Sequence, residues 1–157
     1  MRKIMFALVG LFIFSGAMAQ KNAAYVIYNS KGKKVSYSKM LKTLAKQDIV
    51  MFGELHNNAI AHWLELEVTK DLGAKRNLVL GAEMYEADNQ NALNSYLSSE
   101  YTYKQLDSAA RLWNNNKTDY APLVDYAKDN NLKFIATNIP RRYASKEKKG
   151  GIEKIEK

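Results

Sequence analysis

The sequence predicts an α/β fold built on a mainly parallel β-sheet flanked by helices. Two observations predict it. Short runs that are apolar throughout recur along the chain, as expected of strands covered on both faces. Between them lie stretches whose apolar residues fall three and four apart, the spacing of amphipathic helices.

Taken in order, residues 24–28 read as a first strand and 29–32 as a turn closed by Gly32. From Ser36, the residues Met40, Leu41, Leu44 and Ala45 mark a helix that ends near Gln47. Residues 48–53 form a continuous apolar run closed by Gly53, the pattern of a buried strand. Ile60, Trp63, Leu64, Val68 and Leu72 share one face of a second helix, with Gly73 as its stop. A strand is expected over 77–83, then helices over 87–97, 102–113 and 119–129, with Pro122 tolerated in the first turn of the last. Residues 133–138 give another buried strand, and Pro140 opens a final helical stretch.

The N-terminus precedes this pattern. Arg2 and Lys3 stand before an apolar stretch over 4–14, and Ala17 and Ala19 flank a small-residue cleavage site. This is the layout of a secretory signal peptide over 1–19. About eleven apolar residues are too few for a bilayer core that needs roughly twenty, and no later run is longer. The expected product is a single domain over 20–157 with no membrane span, exported and periplasmic or secreted. With no cysteine in the chain, disulfides, thiolate metal sites, a cysteine nucleophile and lipid attachment to an N-terminal cysteine are excluded, so a lipoprotein is not expected.

The formal charge is +8, and it falls to +6 without the signal peptide. Residues 141–157 hold seven basic and three acidic groups, so the excess is local. A solvated charged helix accounts for it, and export argues against a nucleic-acid partner. No P-loop, dinucleotide-binding glycine motif or serine-hydrolase elbow occurs.

Ligands of open parallel sheets bind beyond the carboxyl ends of the strands. Right-handed crossovers place three such ends together, delivering Glu54 and His56, then Glu83 and Tyr85, then Asn138, Arg141, Arg142 and Tyr143. A carboxylate directly after a buried strand is costly unless it is used. Arginines in a first helical turn oppose the helix dipole, which suggests an anionic ligand. His62 lies six residues after His56, off the spacing of a two-histidine zinc helix, and reads as packing beside Trp63.

Four blocks carry a resemblance: IVMFGELHNN at 49–58, GAEM at 81–84, YAPLVDYA at 120–127 and ATNIPRRYA at 136–144. In this order they resemble the ChaN-like family, haem-binding uptake proteins of the Tiki superfamily. The resemblance implies an α/β fold, an extracytoplasmic address and haem as cofactor, held as stacked haems within a homodimer and linked to an outer-membrane haem or iron uptake system. Family members are longer, so the chain reads as the N-terminal portion of the domain, truncated at its C-terminus. Under this reading His56, Tyr85 and Tyr143 are candidate axial ligands, and Asn138, Arg141 and Arg142 would meet the haem propionates. The enzymatic cousins suggest an alternative, a metal-dependent hydrolase in which Glu54, His56 and Glu83 hold a divalent metal or activate water.

Overall fold

The structure, a computed structural model, describes residues 23–150. The expected signal peptide lies outside the described residues. The chain divides at Val35 into two units. The first holds an antiparallel pair, β1 (Ile27–Tyr28) and β2 (Lys34–Val35). Its turn is closed by Gly32, whose φ of 68° suits a residue without a Cβ. The strand expected over 24–28 is thus confined to its last two residues.

The second unit begins with α1 (Tyr37–Leu44), capped by the Ser36 hydroxyl, which accepts from the Lys39 amide. Helix α2 (Ala59–Gly73) follows, then β3 (Val79–Glu86). A 3-10 turn (Ala87–Asn89) leads into α3 (Gln90–Leu97), and α4 (Tyr103–Ala109) starts at a capping box of Thr102 and Gln105. One π-helical turn (Asn116–Tyr120) runs into α5 (Ala121–Asp129). Strand β4 (Lys133–Asn138) and α6 (Arg141–Gly150) complete the unit. Pro122 sits in the first turn of α5, where its missing N–H costs nothing.

Mixed helix and strand around a parallel pair is an α/β arrangement, but the sheet is smaller than expected. Strands β3 and β4 pair in parallel as a two-stranded sheet. The segment over 48–53 forms no strand. A strand needs a ladder partner, and among the described residues no neighbour pairs with this run; Ile49 is 80% and Met51 92% exposed.

Among the described residues, the sheet is covered on one face. Ala82, Met84, Phe134 and Ala136 are buried, while Val79, Gly81, Glu83, Lys133 and Thr137 alternate with them and are exposed. Helices α3, α4 and α5 supply the cover. Leu93, Leu106, Tyr120 and Val124 are each 1% exposed and pack with Phe134. A smaller cluster joins α1 to α2 through Leu41, Val68 and Leu72, with Val50 and Leu78 against it.

Register breaks between Ala82 and Glu86. Ala82 faces Ala136 and Glu86 faces Asn138, so four steps on β3 span two on β4. Such a bulge re-aims side chains, and Met84, Tyr85 and Glu86 are consequently all buried. On the far side of β4, the Gln90 amide serves as a one-residue strand. Its Nε2 donates to the Phe134 carbonyl at 2.9 Å, while its Oε1 accepts from the Ala136 amide at 2.7 Å. Gly73 does not stop α2 by left-handed backbone. It is the last residue of that helix, and a Cβ there would collide with the Tyr126 hydroxyl, which accounts for the glycine.

Candidate functional site

Between the 48–53 segment and the edge of β3 that no described strand pairs lies a groove of about 1130 Å³. Its walls include Val50, Phe52, Leu78, Leu80 and Met84, and Glu54, His56 and Glu83 reach it.

Local chain geometry sets these side chains. The Asn58 amide bonds the Leu55 carbonyl at 2.8 Å in a turn, and the Asn58 side chain accepts from the Ile60 and Ala61 amides, each at 3.0 Å. Asn58 is therefore the N-cap of α2, which leaves Glu54 and His56 for other work. The first turns of α2 then carry His62 and Glu65, three apart and on one face.

Glu54 is the hub, its side chain only 8% exposed. Oε1 accepts from the Tyr120 hydroxyl at 2.8 Å and lies 3.0 Å from His56 Nδ1. Oε2 lies 2.6 Å from Nδ1 of His62, whose side chain is 6% exposed. Nε2 of His62 is 3.3 Å from the His56 carbonyl and 3.6 Å from Asp119 Oδ2. The same carbonyl accepts from Asn115 Nδ2 at 2.9 Å. Three edge-to-face ring contacts frame the cluster: His56 on Trp113, Trp113 on Tyr120, and Tyr120 on His62. The π-helical turn places Asp119 and Tyr120 here, in keeping with the use of such turns at functional sites.

Burial, reinforced by the Glu54 charge, pushes the Glu65 carboxyl up to about 7. Burial and the bond to Glu54 likewise raise the Tyr120 hydroxyl, so it stays a donor.

His56 joins two of the sequence-selected carboxylates. Beyond its contact to Glu54, its Nε2 stands 3.9 Å from Glu83 Oε1, with the two side chains 51% and 65% exposed. Glu83 does not end its strand, since β3 continues to Glu86; it projects from the uncovered face instead.

Of the remaining selected residues, Asn138, Arg141 and Arg142 lie around a second buried carboxylate, Glu86, and its neighbour Asp88. Glu86 Oε2 accepts from Arg111 Nη2 at 2.8 Å, Arg111 Nε at 3.2 Å and the Arg141 amide at 2.7 Å. The Arg111 guanidinium holds the Glu86 carboxyl below the usual range, against the opposing effect of burial. Arg111 also reaches Asp88 at 2.6 Å, and Arg142 pairs with Asp88 at 3.1 Å. Arg141 and Arg142 nonetheless remain 66% and 61% exposed. The Arg142 guanidinium lies over the half-buried Tyr143 ring, 4.9 Å from its centre. Asn138 is half-buried opposite Glu86.

Tyr85 stands apart. It is 2% exposed, packs edge-to-face on Phe134, and its hydroxyl accepts from the buried Asn116 amide at 2.9 Å. The bulge turns it into the core, away from the ligand edge expected for it. His62 is buried as expected, but its main partner is Glu54 rather than apolar packing. Tyr120, Glu65, Asp119 and Arg111 were not selected from the sequence. Tyr120 does open one of the four family blocks, the signal that could have flagged it.

Comparison with known proteins agrees with the fold. The chain is similar to the ChaN structure of Campylobacter jejuni, described as showing cofacial haem binding. Identity is 20% and the TM-score 0.66, over 81% of this chain and 53% of that one. It is also 32% identical over 83 residues to the chloroplastic protein RETICULATA-RELATED 5 of Arabidopsis thaliana, covering 49% of this chain and 11% of that protein. The chain thus spans about half the length of the first and about a tenth of the second. The family described as "Haem-binding uptake, Tiki superfamily, ChaN" matches residues 40–157. With three-quarters of its length matched, the chain belongs to the ChaN family of the Tiki superfamily.

Proposed function

We propose that the protein binds haem outside the cytoplasm and serves haem or iron uptake. Membership of the ChaN family carries this reading. The residues present suit the ligand. His56 has its Nδ1 held against Glu54 while its Nε2 side is half exposed beside an apolar groove. A carboxylate on the far ring nitrogen fixes the tautomer and strengthens the imidazole as an axial ligand. Tyr143 is the second axial candidate; the burial of Tyr85 weighs against it. Arg141 and Arg142, exposed though paired with Glu86 and Asp88, are the propionate partners, with Asn138 beside them. The charge of +6 beyond residue 19 suits an anionic ligand. The sequence pattern of 1–19 supports export, and the family supports a haem-linked homodimer fed by an outer-membrane uptake system.

Haemin titration followed in the Soret region tests this. Saturable binding is expected, weakened at least about tenfold by His56→Ala, on the scale seen when groups of a metal's ligand shell are removed. Arg141→Ala combined with Arg142→Ala should weaken it further. No binding by a folded chain would remove the proposal. Light scattering with and without haemin reads the dimer.

A further inference from the structure

Glu54, His62 and Glu65 each present one ligand atom, all within 4.8 Å of one another. Their hydrogen bonds leave an unbalanced centre. Nε2 of His62 faces two acceptors, the His56 carbonyl and Asp119 Oδ2, so the ring proton sits on Nε2. Nδ1 is then an unprotonated acceptor beside Glu54 Oε2. The two atoms lie 2.6 Å apart, out of line for a hydrogen bond, and neither has another partner. Two buried acceptors this close need positive charge between them. Glu54 Oε1 cannot relieve this, because Tyr120 and His56 already occupy it. Among the described residues, no lysine or arginine is ion-paired with Glu54, Glu65, Glu83 or Asp119; the partners found are histidines.

We infer that Glu54 Oε2, His62 Nδ1 and a carboxylate oxygen of Glu65 bind a divalent transition cation. One imidazole with two carboxylates suits Zn²⁺ or Mn²⁺ better than the all-oxygen ions. The surrounding bonds have the form of an outer shell that orients ligands: Tyr120 and His56 on the free oxygen of Glu54, and a carbonyl on the free nitrogen of His62. This set differs from Glu54, His56 and Glu83. In that trio the His56 nitrogen facing Glu83 is 3.9 Å away and both side chains are at least half exposed. The inference does not rest on the haem reading.

Chelator-treated, haem-free protein titrated with Zn²⁺ by calorimetry, and with Mn²⁺ by loss of the free-ion EPR signal, provides the test. One equivalent should bind, and Glu65→Gln should weaken it at least about tenfold. Glu83→Gln should leave affinity unchanged. Glu65→Gln keeps shape and volume, and far-ultraviolet circular dichroism checks that it folds. Failure of the folded parent chain to bind either ion would overturn the inference, as would equal or greater weakening by Glu83→Gln. Haemin titration of Glu65→Gln separates the two proposals, since haem binding should survive where cation binding is lost.

Discussion

Glu54 and Glu86 are both buried carboxylates at the end of an extended segment, yet their charges are met by opposite means. Glu86 is enclosed by the Arg111 guanidinium and the Arg141 amide. Arginine keeps its proton at every ordinary pH, so this pair is fixed and ties β3 to the start of α6. Glu54 is met by two histidines and a tyrosine hydroxyl. Imidazole nitrogens can serve as ligands to an ion, while the tyrosine hydroxyl keeps its proton and donates. The first arrangement belongs to the scaffold and the second to a site.

The sharpest way to break this contrast is Tyr120→Phe. It removes a charge-assisted donor from Glu54 while keeping the ring contacts, and should cost about 2 kcal/mol of stability by denaturant unfolding. A negligible change would mean that Glu54 does not depend on its surroundings. Next in size is the pH profile, because the two regions slope in opposite directions. Glu86 is depressed, so its contribution is present above the ordinary carboxylate value of 4.5 and is lost as pH falls. Glu65, raised to about 7, favours the folded state below 4.5, and this is lost as pH rises through 7. Melting temperatures of Glu86→Gln and Glu65→Gln should flatten the acid and neutral limbs respectively. Smallest is Arg142→Ala. Its pairing with Asp88 is largely exposed, so stability should change by about 1 kcal/mol or less, read by the same unfolding experiment.

What the sequence disclosed follows from how local each feature is. The spacing of Met40, Leu41, Leu44 and Ala45 located α1, and Ile60, Val68 and Leu72 located α2, because helical periodicity needs no partner. Strand β4 fell where its apolar run put it. The run over 48–53 is at least as apolar but forms no strand, since pairing depends on a neighbour that no local pattern reveals. Tyr85 was misplaced for a related reason: a bulge defined by register against β4 sent it inward. Glu54, His56 and Glu83 do lie near one another, although 48–53 forms no strand and Glu83 does not end one. Arg111, which reaches Glu86 across 25 residues from beyond the end of α4, carried no comparable cue.

The unequal treatment of the two sheet edges has a consequence for the behaviour of the polypeptide in solution. Gln90 occupies hydrogen-bonding groups of β4, while among the described residues nothing does so for β3. Val79 at that margin is 66% exposed, and Ile49 and Met51 stand uncovered across the groove. Two molecules meeting there would find complementary rows of amides and carbonyls flanked by apolar side chains, the template for edge-to-edge aggregation. Loss from solution should therefore accelerate with concentration faster than in simple proportion, and it should begin from molecules that are still folded.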